Sequence, residues 1–208
     1  MPVAAYEESV FVNCPFDAEY QEIFRALVFT VHDCGLMARC ALEVDDSGEV
    51  RITKLNRIIR ECQFGIHDIS RTELDPHEKL PRFNMPLELG LFLGAREFGT
   101  GKQKEKLSLI LDTERYRYQK FCSDIAGQDI KAHEGTVDKA VRAVRNWLTT
   151  MLDGIYLLPS AGKMAERYRA FLAELPALCA PLHLDPDDLQ FVELRTLVEE
   201  WVEENRPI

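Results

Sequence analysis

The sequence predicts an α/β protein, a three-layer sandwich built on a parallel sheet and followed by a C-terminal α-helical hairpin. Three observations carry this expectation. Short apolar runs rich in strand-forming residues alternate with helically periodic segments from Phe11 to Leu148. The runs are nearly continuously apolar, as strands covered on both faces are. Beyond Pro159 the strand signals stop and only helical stripes remain. The chain therefore divides into an α/β domain over residues 1–157 and a helical extension over 158–208.

Val10-Phe11-Val12 reads as the first strand, ended by Asn13-Cys14-Pro15-Phe16-Asp17 because proline cannot donate to a ladder. From Glu19 to Cys34, Ile23, Phe24, Leu27, Val28 and Val31 recur at helical spacing, and Gly35 supplies the C-terminal cap. Leu36 to Leu42 is a second strand, and Asp45-Asp46-Ser47-Gly48 a polar turn. Arg51 to Cys62 is an amphipathic helix, and Phe64 to Ile69 a third strand. A polar loop from Ser70 to Phe83 precedes a helix from Asn84 to Phe98 and a fourth strand from Leu107 to Asp112.

Asp124 to Ile130 reads as a short fifth strand, and Thr136 as the N-cap of a helix burying Val137, Ala140, Val141, Val144, Trp147 and Leu148. In the extension, Gly162 to Leu175 carries the stripe Met164, Tyr168, Phe171, Leu172 and Leu175. Asp185-Pro186-Asp187-Asp188 reads as a helix start, with a cap, a proline at the first position and acids on the dipole. The helix it opens carries Phe191, Leu194, Leu197, Val198 and Trp201. The α/β unit is flavodoxin-like in size, with ligands expected at the C-terminal ends of its strands. The two tail stripes form a self-complementary pair, which predicts a homo-oligomer through the C-terminal helices.

Composition narrows the function. The 208 residues are 46% hydrophobic and 29% charged, and the mean hydropathy of -0.19 excludes collagen-like, low-complexity and wholly disordered classes. No apolar run approaches the ~18 residues of a membrane span, and Met1 to Ser9 holds two acids and no base, unlike a secretory signal. A cytoplasmic protein without a membrane partner is expected. Lys and Arg total 25 against 35 Asp and Glu, a balance that repels a nucleic-acid polymer but leaves room for a small anionic ligand at a local positive site. The tail from Asp185 to Ile208 concentrates the acidity, with eight acids and two bases. The six cysteines lack metal-ligand spacing, so neither a metal nor a cofactor is expected, and the four among apolar neighbours read as small buried hydrophobes in a reducing compartment. Cys14, directly after a strand, is also a candidate nucleophile.

The segment Asn84-Met85-Pro86-Leu87-Glu88-Leu89-Gly90-Leu91-Phe92-Leu93-Gly94 is apolar on all sides, which predicts a fully buried helix with Glu88 in its first turn. A lone carboxylate there is either a helix cap or a catalyst, since burial without a partner costs several kcal/mol. Helix N-terminal partial charge is expected to keep Glu88 ionised at neutral pH. Asp68 and Asp112 each end a strand at the edge where such sheets hold ligands, and each can equally serve as a loop hydrogen-bond acceptor. Arg71 and Arg82 flank the loop before Glu88, as phosphate ligands or solvated cations. Tyr116 and Tyr118 can stack on a ring or cover the sheet edge.

At these residues the chain resembles the nucleoside 2-deoxyribosyltransferase family. Val12-Asn13-Cys14-Pro15-Phe16 is similar to that family's opening loop, with Cys14 at its usual glycine. Phe64 to Ile69 followed by Pro86-Leu87-Glu88-Leu89-Gly90 is similar to its strand ending in Asp and its Glu-Leu-Gly helix, with Arg82 where the family has Asp or Ser. The resemblance implies that Glu88 is the nucleophile at the anomeric carbon and that Asp68 positions the nucleobase. It implies ligand contacts from the opening loop, Asn13, Cys14, Pro15 and Phe16, while Arg71, Arg82, Asn84, Asp112 and Tyr116 are candidate ligand contacts by their position in the chain. The same elements resemble bacterial TIR-like domains, whose helix-borne glutamate breaks the nicotinamide–ribose bond of NAD. Both imply N-glycosidic cleavage or transfer on a nucleoside, nucleotide or NAD. The alternatives are a non-catalytic nucleotide sensor and an interaction module on the same scaffold.

Overall fold

The computed structural model describes residues 5–72, 82–152 and 157–206. Five parallel strands form one sheet in the order β2-β1-β3-β4-β5, comprising β1 (Ser9–Asn13), β2 (Met37–Arg39), β3 (Phe64–Asp68), β4 (Leu107–Asp112) and β5 (Lys131–Ala132). This is the flavodoxin-like order, which places the strand-order reversal between β1 and β3. Val12 pairs with Ile66 and Ile66 with Leu109, so the three central strands run in register.

Alternation along the strands sorts side chains onto two cores. Val10, Val12, Ile66, Leu109 and Leu111 point to the face covered by α1 (Gln21–Asp33) and α4 (Val137–Met151). Phe11 points to the other face, where α2 (Arg51–Arg60) and α3 (Asn84–Phe98) pack with Leu55, Ile58 and Phe92. Where α3 overhangs β3 and β4, Ile69, Met85, Leu89, Ile110 and Tyr118 close a third cluster. Tyr118 thus covers the sheet rather than offering a stacking face.

The extension is a helical pair, α5 (Ala161–Cys179) and α6 (Phe191–Glu204), laid on the outer side of α1 and α4. Phe29 of α1 meets Tyr168, Phe171 and Trp201 at ring-centroid separations of 5.5, 5.6 and 5.6 Å. The two tail stripes are therefore turned inward onto α1 and share one continuous core with the sheet. Buried polar contacts fix the seam: Arg167 donates to Asp33 at 2.8 Å, and the Tyr168 hydroxyl donates to Glu22 O at 3.0 Å. This explains why every residue from Ala26 to His32 is buried.

Several boundaries differ from expectation. Asp124 to Ile130 is not a strand: Ser123–Ile125 is a 3-10 turn, Gly127 adopts φ 99°, and the ladder to β4 begins at Lys131. Asp185 does not open α6. Its carboxylate accepts from Asp187 N at 2.9 Å and closes a local turn, while the helix begins after Gln190 with a Gln190–Glu193 capping box. Thr136 stands at the N-cap of α4, but its hydroxyl donates back to His133 O at 3.1 Å. Nor is α3 buried all round. Met85, Glu88, Leu89 and Phe92 are buried, whereas Phe83, Leu87 and Phe98 are 58%, 56% and 85% exposed. Most of the loop expected from Ser70 to Phe83 lies outside the described residues. Among the described residues no helix is long and apolar enough to cross a membrane.

Candidate functional site

The C-terminal end of β1 delivers Asn13 and Cys14 to the junction of β3 and α3. Asn13 is buried, and its side-chain amide is placed between Met85 O at 2.9 Å and His67 Nδ1 at 3.1 Å. That arrangement pins the opening of α3 to the sheet. With Nδ1 accepting from Asn13, the His67 ring carries its proton on Nε2, which is buried without a hydrogen-bond partner. Burial lowers the His67 pKa to about 3, reinforced by Lys106. It is a core histidine.

Glu88 sits one turn inside α3, in the second turn rather than the first, on the side facing α2. It is 4% exposed, and among the described residues no hydrogen bond reaches its carboxylate. Its closest counter-charge is Arg51, which opens α2 with a half-exposed side chain, at 3.9 Å. Burial therefore dominates and raises the Glu88 pKa to about 7, against the opposing pull of Arg51. The expectation of a fully ionised carboxylate at neutral pH is corrected accordingly. A cap bonds the first-turn N–H groups, and a second-turn Glu88 with no hydrogen bond does not do so.

Cys14 is within electrostatic reach of both Asp68 and Glu88. Burial, then Asp68 and other nearby anionic groups, raise its thiol well above the ordinary range, so it is a protonated wall and not a nucleophile. Pro15 is buried, and Phe16 is 38% exposed, edge-on to Phe24 at 5.3 Å. Asn13 and Cys14 thus stand near Glu88 at one corner of the sheet, while Phe16 turns to Phe24 of α1.

The remaining candidates separate from that corner. Asp68 is fully buried and already engaged: Tyr20 donates its hydroxyl to Oδ2 at 2.6 Å, and Ser70 N donates to Oδ1 at 2.8 Å. His133 Nε2 also stands 3.0 Å from Oδ2, off the line of a hydrogen bond. Its Nδ1 accepts from Gly135 N at 3.0 Å, so the ring proton faces Asp68. Asp112 is fully buried as well, with Oδ1 accepting from Arg117 Nε and Thr113 N, each at 2.7 Å. Its Oδ2 has no hydrogen-bond partner among the described residues, and burial raises its pKa despite Arg117. Arg71 is held by Asp17 at 3.1 Å and Glu19 at 2.5 Å, which ties the start of the β3–α3 loop to the β1–α1 loop. Arg82 and Asn84 are exposed at the mouth of α3. Tyr116 is 68% exposed beside β5, away from Glu88.

Sequence reasoning missed Tyr20, Arg51, Arg117 and His133. Tyr20 and His133 reach Asp68 across 48 and 65 positions, a pairing for which the chain carries no local signal. Among the described residues no group of three or more His, Cys, Asp or Glu side chains could hold a metal ion. Comparison with protein-family profiles, with curated proteins and with solved structures finds no match.

Proposed function

We propose that the chain cleaves or transfers the N-glycosidic bond of a nucleoside, nucleotide or NAD, with Glu88 beneath the anomeric carbon. One observation carries the reading: a nearly buried carboxylate with no hydrogen bond among the described residues, at the corner where β1 delivers its loop to α3. A buried carboxylate whose counter-charge is a half-exposed arginine at 3.9 Å is costly to maintain for structure alone and is available to a ligand. When the base departs with the bonding electron pair, positive charge develops on the sugar C1′ and ring oxygen. Ionised Glu88 stabilises that charge or closes on C1′ to form a glycosyl ester. Water or a second base then releases the sugar; a departing purine or pyrimidine takes a proton from solvent or from a neighbouring acid, whereas the nicotinamide of NAD departs neutral and needs none. A pKa near 7 leaves a substantial ionised fraction at neutral pH and allows proton transfer in either direction. Asp68 acts in this reading as a positioning residue that fixes the end of β3.

A non-catalytic nucleotide sensor is the second reading, favoured by the internal engagement of Asp68 and Arg71, which leaves Glu88 without a ready second catalytic group. The six unpaired cysteines, five of them buried, support placement in the reducing cytoplasm. Incubating the protein with NAD and a panel of nucleosides and nucleotides, with chromatography of the free base, tests the proposal. Base release that Glu88→Gln reduces by about two orders of magnitude supports it. Binding without release supports the sensor.

A further inference from the structure

The sheet edge opposite β2 carries a second opening. Between β4 and β5 the chain forms the 3-10 turns Arg117–Lys120 and Ser123–Ile125. Beside the two-residue β5 and against α4 runs a groove of about 790 Å³. That volume falls in the range of small-molecule sites. Glu88 faces α2 near the end of β1, whereas the groove flanks β5, three strands further along the sheet. Glu88 also lies on the α2–α3 face of the sheet, whereas the groove lies against α4 on the opposite face.

The lining is positive in a chain with a formal charge of -10. Arg115, Lys131, Lys139 and Arg142 face Asp129 and Glu134. The two acids are matched by lysines, since Lys131 pairs with Asp129 at 2.5 Å and Lys139 pairs with Glu134. Arg142 then makes no hydrogen bond or ion pair among the described residues, and Arg115 meets Glu134 only through a longer-range electrostatic contact. Both arginines are exposed. Two exposed guanidinium groups that close no ion pair with a carboxylate among the described residues are suited to hold a phosphate.

Aromatic surface stands beside this charge. Tyr116 adopts φ 64°, an uncommon left-handed conformation for a bulky residue, with its ring 68% exposed at the groove. Trp147 is half-buried in the same lining, its ring braced edge-on by Phe64 at 5.9 Å. Asn146 and Gln128 add amide donors and acceptors.

We propose that this groove is a second ligand site, distinct from the Glu88 corner, that takes a nucleoside phosphate. The ring stacks on Tyr116 and Trp147 while the phosphate rests on Arg115 and Arg142. AMP, adenosine and inorganic phosphate are titrated separately into the full chain carrying Glu88→Gln, which excludes turnover. Binding is followed by calorimetry and by tryptophan fluorescence. Saturable AMP binding is expected, tighter than that of adenosine or phosphate and weakened by salt. Arg115→Glu combined with Arg142→Glu should weaken AMP by about tenfold or more, with an unchanged circular dichroism spectrum because both residues are exposed. Trp147→Phe should remove most of the fluorescence response. The proposal is overturned if AMP fails to bind at millimolar concentration, or binds the double variant as tightly as its parent. It is equally overturned if phosphate alone binds as tightly as AMP, or if AMP binds the wild type but not Glu88→Gln.

Discussion

Arg51 holds its guanidinium 3.9 Å from the carboxylate of Glu88, and it is the nearest counter-charge that the buried group has among the described residues. The pair is unequal: the arginine side chain is 54% exposed and the glutamate side chain 6%. Solvent screens the attraction, while the desolvation of Glu88 stands in full. This inequality sets the acid–base behaviour of the site.

The first prediction is a pH-dependent stability difference. Glu88 ordinarily titrates at 4.5, and burial raises it to about 7. The folded state therefore holds this proton more tightly than the unfolded state. The protonated form's contribution is fully present below about 4.5 and is lost as pH rises through about 7. Glu88→Gln, which cannot ionise, should match the wild type near pH 4.5 and exceed it above pH 7, by on the order of 3 kcal/mol. Chemical denaturation of both proteins across pH 4.5–8 measures this. Parallel curves over that range would show that the carboxylate is not buried as described.

A second expectation concerns Arg51. Replacing it with methionine keeps most of the stem and removes the one charge that lowers the Glu88 pKa. The pKa should move above 7, and any cleavage that requires ionised Glu88 should have its rising limb shifted to higher pH. Because Arg51 is half-exposed the displacement should be modest, about one pH unit or less. A pH–rate profile checks the direction, and a shift to lower pH would contradict the assigned pairing.

The strands and helices were legible because their signals are local. Val10-Phe11-Val12, Phe64 to Asp68 and Leu107 to Asp112 are short apolar runs, and Asn84 to Phe98 begins and ends where its pattern does. Burial was less legible, since it depends on what packs outside a helix. Both α1 and α3 read as strongly apolar, yet α5 and α6 cover α1, while Phe83, Leu87 and Phe98 of α3 remain exposed. At the site, Glu88 stood out as the one ionisable residue of the apolar helix before Arg96. The engagement of Asp68 did not, because Tyr20 and His133 arrive from distant segments.

Removing the extension is expected to be severe. A chain ending at residue 157 would uncover Phe29 and the neighbouring α1 and α4 side chains now packed on Tyr168, Phe171 and Trp201. It would also leave Asp33, whose side chain is 3% exposed, without Arg167. A contiguous apolar surface of that kind promotes association. The truncated chain should be insoluble, or soluble but strongly binding a hydrophobic dye. A monomeric product with a cooperative melt near that of the full chain would show that the extension is a separable appendage.

The last prediction separates structure from chemistry at Asp68. Its Oδ1 accepts from Ser70 N, and its Oδ2 accepts from the Tyr20 hydroxyl while facing the proton-bearing Nε2 of His133. Every neighbour is a donor, so both oxygens are required as acceptors. Asp68→Asn must turn an NH₂ group toward one of these donors, in a place with no solvent access. An unsatisfied buried group of this kind costs about 2–4 kcal/mol, or roughly 5–15 °C in Tm for a chain of this size. Tyr20→Phe removes one donor and leaves the carboxylate two oxygens with fewer bonds, so about 1.5–3 kcal/mol is expected. If Asp68 acts only by fixing the end of β3, both variants lower Tm while the remaining folded protein, assayed well below its midpoint, keeps kcat within about threefold. A fall of two orders of magnitude in kcat with Tm unchanged would instead return Asp68 to direct contact with the leaving base.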